Sequence, residues 1–600
     1  MWTWGWLAAA VAVTIFRYGF KEETVPQVAT VIQEEYDFVV VGSGAAGSVV
    51  AARLSEDPSV TVLVLEAGDD DLRYPDCRVP GRSTKLWTTG AVYGDLTEPQ
   101  KKACLGMKNN QCRLPHGRIL GGGTSVNFMV YIRGSPHEFD AWARAGCKGW
   151  SFADLLPFFK KSESMQDVRL KDSEYHGFNG PVVVQDRPIS PLGDYFVEAA
   201  QELGYKALDI NGADQEGFNR AHVTVNNGVR SSTAGTYLRP AMARKNLDVA
   251  TLAQATKVIS QTVLFANKRA TGVEFIWKGE FRRVSASKEV VVSAGALDSP
   301  KLLMLSGVGP RDHLEEHGID LVADLPVGQN LQDHLQINDF LFTIDKNISV
   351  TPQELNSLLT KANYALNGGG VLGSCGMLAT GILRSRHQPA DDPIPYMQLI
   401  ALPLLGNDDL DRQALTEIFN YREEVVEMYH GKLDNHHGYV LGGYLNHPLS
   451  RGEVLLRSNK SSDRPIIDPH YLEEQLDVDI MIEIFRLSQR IAKTKTMQAI
   501  GAKQWPVHHP YCKHIEYDTD QFWECVVRQN TKTTFHQSGT CKMGAQDDPT
   551  AVVDPQLKVR GLDGIRVVDA SIMPNVTSGN IMMATIMIGE KGASLIKESY

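Results

Sequence analysis

The apolar run Phe38–Val41 has charge on one side and glycine on the other, as a strand buried on both faces does. Ala45–Leu54 has helical composition, with an Arg near its end, and a second apolar run, Val60–Leu65, ends in Glu66. The pattern predicts strand, helix, strand. Farther on, apolar spacing predicts a helix over Glu138–Lys161, with Trp142, Trp150, Phe158 and Phe159 as core. Strands are predicted at Gly180–Gln185 and Asn219–Asn226, a short helix at Phe196–Leu203, and a loop and helix at Arg230–Met242. Leu247–Thr251, Lys257–Leu264, Ala270–Ile276 and Arg282–Val292 then have the texture of a parallel sheet, followed by a helix at Leu297–Leu305. Residues 337–526 differ: strands such as Tyr439–His447 and Glu453–Arg457 alternate, which predicts an antiparallel sheet. A strand ending in Asp569 and an apolar helix, Ile581–Ile596, finish the chain. Asp69–Pro115 reads as irregular. The fold class expected is α/β (α+β overall), with a Rossmann-like domain and an antiparallel-sheet domain.

The first strand–helix–strand unit carries chemistry. Gly42-Ser43-Gly44-Ala45-Ala46-Gly47 has the spacing G-x-G-x-x-G, and Glu66 follows about 20 residues later. Gly42 permits the tight turn. Gly44 lets the backbone approach a pyrophosphate, and Gly47 lets the helix pack on the strand. The helix N-terminus offers unpaired N–H groups to phosphate oxygens. Glu66 can accept from a ribose hydroxyl. The unit predicts a dinucleotide without distinguishing NAD from FAD.

Six hundred residues exceed a single core and require at least two domains. A hydrophobic share of 43% and a charged share of 22% are ordinary for a globular protein. The net charge of −11, with no basic stripe, argues against nucleic acid as a partner. Trp2–Phe16 is almost wholly apolar and shorter than the ~20 residues of a spanning helix. It reads as a secretory or membrane-anchoring segment, so the chain is expected to be secreted or anchored outside the cell. The eight cysteines include two locally spaced pairs, Cys104/Cys112 and Cys512/Cys525, that fit disulfides; no C-x-x-C occurs and no metal site is expected. Asn347 and Asn459 open glycosylation sequons usable in a secreted chain. Asn575 opens a third that falls near the expected active centre.

His536 stands in a Gly-rich stretch, His536–Gly544, with Asp569 at a strand end and Asn580 before the last helix. A histidine suits proton abstraction near neutral pH, and a neutral Asn beside it can hold an alcohol oxygen or cap the helix. Nucleophile-elbow, P-loop and H-E-x-x-H patterns are all missing.

Four blocks together, Gly42–Gly47 with Glu66, His116–Gly134, Gly295–Gly309, and His536–Gly544 running on to Lys591, resemble the glucose–methanol–choline (GMC) oxidoreductases. The likeness is to the animal branch that includes FAD-dependent glucose dehydrogenase. It implies FAD held by Gly42, Ser43, Gly44, Ala45, Ala46, Gly47 and Glu66 at the ADP part. Thr124, Asn127, Phe128, Met129 and Val130 are implied along the pyrophosphate and flavin, Val258 in the strand at the adenine, and Asp569 and Ala570 on the flavin side. It makes His536 the base and Asn580 its partner. The segments implied are an apolar targeting segment and linker at 1–35, FAD-binding parts at 36–150 and 220–333, and substrate-domain parts at 151–219 and 334–530. Residues 531–600 form a C-terminal FAD-binding and catalytic part. Val126 replaces the His through which some relatives attach the flavin, so FAD is expected to be non-covalent. Met582 replaces a second Asn of the last block. The implied reaction is oxidation of an alcohol or sugar hydroxyl, with a quinone-like electron acceptor. Choline dehydrogenation, a peroxide-forming alcohol or steroid oxidase, and a secreted binding protein on a retired flavin fold are the alternatives.

Overall fold

The computed structural model describes residues 26–262, 268–403, 414–429, 436–506 and 508–600. The apolar segment Trp2–Phe16, read as a targeting or anchoring signal, lies outside the described residues. Among the described residues no helix is long and apolar enough to cross a membrane.

Two sheets organise the molecule. The first has eight strands. At its centre Glu35–Val41 lies parallel to Val62–Leu65 on one side and to Glu280–Val292 on the other. Leu247–Ala250 extends it beyond Val62–Leu65, also in parallel. Val39, Val40, Val62, Leu63, Val64, Val290, Val291 and Val292 are fully buried, because helices cover both faces of a parallel sheet. The run Lys257–Val292 departs from the parallel texture expected of it. Ala253–Thr262, Lys268–Trp277 and Glu280–Val292 form an antiparallel meander whose last strand pairs with the parallel part. Burial makes such strands apolar whichever way they run, so composition did not carry their direction. Ile565–Val567 returns from the far end of the sequence and pairs in parallel with Val290–Val292.

The second sheet has seven strands, all paired antiparallel. Leu335–Ile344, His437–Leu445, Met397–Pro403 and Ala379–Leu383 follow one another across it, with Gly217–Arg220 at one edge. One face is apolar: Phe340 and Leu441 pack on Ile480, Ile484 and Phe485 of the helix Gln475–Ala492. The other face turns Gln336, Leu341, Leu402, Val440 and Tyr444 toward a cavity shared with the first sheet.

Other expectations shift in detail. Glu138–Lys161 is two helices, Pro136–Arg144 and Phe152–Ser162. Gly146 and Gly149 take positive φ between them, and Ser151 with Asp154 forms a new capping box. The stretch Asp69–Pro115 contains a paired strand, Val92–Leu96 on Arg113–Gly117. Cys512–Cys525 is a disulfide. Cys104 and Cys112 are instead buried free thiols. Each is turned to a carbonyl, Cys104 Sγ to Thr531 O at 3.4 Å and Cys112 Sγ to Arg113 O.

Candidate active site

The phosphate-loop residues meet their geometric tasks. Gly42 has φ +98°, and a Cβ there would stand 2.4 Å from Ser293 O. A Cβ on Gly47 would stand 2.0 Å from Gly42 O, so the helix Gly47–Leu54 approaches the strand only because this residue is glycine. Gly44 differs: no atom lies within 4 Å of its missing Cβ. Glu66 is buried and accepts Ser43 N at 2.9 Å, Ser43 Oγ at 2.6 Å and Gly68 N at 2.8 Å. Burial raises its pKa against the pull of those bonds.

A cavity of about 650 Å³ joins this loop to the C-terminal residues. Gly42, Gly44, Ala45, Ala46 and Glu66 line it, as do Thr124, Asn127, Phe128, Met129, Val130, Asp569, Ala570, His536 and Asn580. Three predicted residues do not. Ser43 turns away to Glu66, and Gly47 is consumed in packing. Val258 is in the core, its N–H bonded to Ser306 Oγ at 2.8 Å. Its strand reaches the cavity through Ala253, Gln254 and Ala255 instead.

Asp569 ties together the ends of two neighbouring strands of the first sheet, Glu280–Val292 and Ile565–Val567. Its Oδ2 accepts Gly295 N at 2.9 Å and Ser299 Oγ at 2.5 Å, and its Oδ1 accepts Ser571 N at 2.8 Å. Asn127 Oδ1 accepts Met129 N at 3.0 Å, which holds Met129 at φ +59°. Asn127 Nδ2 faces Met582 Sδ at 3.1 Å, so the Met that replaces the second Asn packs against the predicted flavin loop.

His536 follows Phe535, which takes φ +65° and so turns the chain sharply. The turn is held by Phe535 N donating to Thr533 Oγ1 at 2.7 Å, and by His536 N donating to Asp333 Oδ1 at 2.9 Å. Asp333 is itself buried and accepts Tyr471 OH at 2.6 Å and Gln537 Nε2 at 2.9 Å. Burial raises its pKa to about 6. His536 Nδ1 lies 2.7 Å from Thr534 Oγ1 and 3.0 Å from His334 Nδ1. His536 Nε2 faces Asn580 Nδ2 at 3.3 Å. Burial pushes the His536 pKa down to about 3, so the ring is neutral. Asn580 does not cap the last helix, which starts at Met582 with Ile581 in the cap position.

Sequence reasoning missed several residues around this centre. Asp333 and His334 sit between the predicted helix Leu297–Leu305 and residues 337–526, with nothing in their spacing to mark them. Arg230 is buried and donates to Cys77 O, Thr124 O, Asn127 O, Asn127 Oδ1 and Ser83 Oγ. Burial lowers its pKa to about 10, which leaves it charged at neutral pH. Its partners are 103 to 153 residues away in sequence, so no local pattern could reveal it.

Family models of GMC oxidoreductases match residues 36–336 and 448–589. The chain belongs to the GMC oxidoreductase family. It is 37% identical to a Drosophila melanogaster glucose dehydrogenase [FAD, quinone] over 571 residues, 94% of this chain and 87% of that protein. It is 36% identical to a Homo sapiens mitochondrial choline dehydrogenase over 575 residues, 94% of this chain and 90% of that one. Its fold matches pyridoxine 4-oxidase from Mesorbium loti with a TM-score of 0.76 at 29% identity, covering 93% and 98% of the two chains. This GMC oxidoreductase is therefore an FAD-dependent enzyme, and its cavity fits that cofactor. Gly44, Gly123 and Gly295 all line the cavity and all have open space where a Cβ would stand. A backbone bared in this way along one wall suits close approach by a ligand.

Proposed function

We propose that the enzyme oxidises the CH–OH carbon of an alcohol, with His536 as base and Asn580 as its partner. The observation that carries this reading is the neutral, buried His536 ring turned to Asn580 inside the same cavity as the Gly42–Ala46 loop. Bound FAD supplies the hydride acceptor. His536 Nε2 takes the hydroxyl proton, and Asn580 Nδ2 donates to the alkoxide as it develops. Gly42, Gly44, Ala45, Ala46 and Glu66 would hold the ADP part, with Ala253–Ala255 supplying the strand that Val258 was expected to supply. Thr124, Asn127–Val130, Asp569 and Ala570 would lie along the rest. Attachment is non-covalent: Val126, at the position of a flavin-linking His, presents only an aliphatic side chain to the cavity. The two sheets would divide the work, cofactor on the first and substrate on the second, along the segment boundaries expected from sequence.

A sugar hydroxyl is the leading substrate and a quinone the leading acceptor, by likeness to the glucose dehydrogenase. Choline fits less well. Among the described lining residues the carboxylates are Glu66, Asp298 and Asp569, each already bonded within the protein. Lys532 lines the cavity with its ammonium 5.1 Å from the Phe419 ring, and would repel a quaternary ammonium. An alcohol with an apolar body, such as a steroid, is the second reading, favoured by Leu341, Leu402, Val440 and Phe419 on the lining. Secretion is supported by the Cys512–Cys525 disulfide and by the exposure of Asn347 and Asn459. Asn575, by contrast, is half-buried and bonded to Arg451. Anaerobic bleaching of the flavin by glucose, choline or a steroid alcohol tests the substrate; slow reoxidation in air with fast reoxidation by a quinone tests the acceptor. A yellow protein that no alcohol bleaches would refute the reading.

A further inference from the structure

The contacts of Thr534 decide which nitrogen of His536 carries its proton. Thr534 Oγ1 is 3.0 Å from His334 O, and Thr534 N donates to the same carbonyl at 2.9 Å. Two oxygens at 3.0 Å repel unless a proton lies between them, so the Thr534 hydroxyl donates to His334 O. The hydroxyl has one proton, now used. At 2.7 Å from His536 Nδ1 it can only accept. The proton of the neutral ring is therefore on Nδ1, and the lone pair is on Nε2, the nitrogen turned to Asn580 and the cavity. His334 Nδ1, 3.0 Å from the same Nδ1–H, is then an acceptor as well.

We propose that Thr534 is a positioning residue: its hydroxyl, anchored on the His334 carbonyl, fixes His536 as the Nδ1–H tautomer and so presents Nε2 as the base. The inference rests on the reading of His536 as base. It goes beyond that reading by assigning the tautomer and the group that sets it. In the reaction Nε2 gains the substrate hydroxyl proton, and Nδ1–H keeps its bond to Thr534 Oγ1, so the imidazolium has a ready acceptor on its far side. Other ionisable groups packed around the ring are Asp333, on the backbone N–H of His536, His334, edge-on at 5.1 Å between ring centroids, and Tyr444 at 6.4 Å. His447 acts on His334 from beyond. None of these gives Nδ1 a carboxylate, so the threonine oxygen is the polar group that replaces one.

The test compares Thr534→Val, Thr534→Ser and His536→Ala holoenzymes by anaerobic stopped-flow flavin reduction across pH, with FAD content measured for each. Valine keeps the shape and removes the acceptor. Reduction by Thr534→Val should slow about 10- to 100-fold with FAD still bound, and its acid limb should move to lower pH, because the imidazolium has lost a partner. Serine should restore the rate to within about threefold. If Thr534→Val reduces flavin at the wild-type rate and pH profile while His536→Ala does not, the tautomer assignment is overturned and the base reading stands. If His536→Ala reduces flavin normally, the base reading itself fails. If Thr534→Ser is as slow as Thr534→Val, or Thr534→Val has lost its FAD, the threonine is structural and the proposal is wrong.

Discussion

Asn580 Nδ2 lies 3.3 Å from His536 Nε2, across the cavity wall where the C-terminal segment meets the second sheet. The pair predicts unequal losses. His536→Ala should cut flavin reduction by about 10³-fold or more, the upper range for losing a general base. Asn580→Ala should cut it by about 10²-fold, the range for one oxyanion donor. FAD content should be unchanged in both, by absorbance of the purified protein. Equal losses would mean that Asn580 acts only by holding the histidine.

Gly44 and Gly47 separate cofactor binding from folding. Gly44→Ala places a methyl in open cavity and should give a stable protein that purifies colourless. Gly47→Ala forces a methyl to 2.0 Å from a backbone oxygen and should lower the melting temperature and the soluble yield. Absorbance and thermal melts of the two variants check this. A yellow Gly44→Ala protein would contradict the role of that glycine.

Arg230 holds the loop Thr124–Asn127 from behind with three bonds and reaches Cys77 O and Ser83 Oγ with two more, all to uncharged acceptors. Lysine cannot reproduce that fork. Both Arg230→Met and Arg230→Lys should be destabilised by on the order of 3 kcal/mol in urea unfolding and should bind FAD more weakly.

Two buried groups predict how stability follows pH. The folded His536 pKa is near 3, below the unfolded value of about 6.5. Between those values the unfolded chain holds the extra proton, so this residue's contribution is present above about pH 6.5 and is lost as pH falls toward 3. Asp333 has the opposite sign: its folded pKa of about 6 exceeds the unfolded value of about 3.9. Its contribution is present below about pH 4 and is lost as pH rises toward 6. The two slopes oppose each other between about pH 4 and 6. Asp333→Asn should therefore lose stability more steeply than wild type on acidification through that window, in urea titrations at stepped pH.

The cysteine pattern gives a count. Denatured, unreduced protein should titrate six thiols, from Cys77, Cys104, Cys112, Cys147, Cys375 and Cys541. Four would mean that Cys104 and Cys112 are linked. Replacing both Cys512 and Cys525 by alanine should cost about 3 kcal/mol, the usual worth of a loop of this length.

What was legible in the sequence was what short-range chemistry fixes. The glycines of the first turn, Glu66 after the second strand, and the apolar last helix each declare themselves within a few residues. His536 and Asn580 were legible as a pair because both stand in glycine- or serine-flanked turns near the same end of the chain. Strand direction in Lys257–Val292 was not, because a buried strand is apolar in either sense. The break between Trp142 and Phe152 lay in Gly146, Gly149 and the Ser151 cap, which the helical run of apolar residues outweighed. Which residue of the strand Ala253–Thr262 lines the cavity was not legible either: Val258 faces the core, while Ala253, Gln254 and Ala255 line it. Asp333, His334 and Arg230 stayed hidden because their partners are distant in sequence and only the fold brings them near.

Residues 565–597 supply a strand of the first sheet, the Asp569 tie to Gly295, and a helix whose Gly589 packs on Ala46 and whose Glu590 binds Arg53 at 2.7 Å. The helix Gly47–Leu54 is thus braced by a residue synthesised 537 positions later. On the ribosome, the glycine turn emerges early and must wait, its helix half bare and the neighbouring strand Glu280–Val292 still without Ile565–Val567, until the rest has been translated. Cofactor loading is for that reason expected only of the nearly finished polypeptide, and a truncation ahead of Ile565 should remove the pocket rather than trim it.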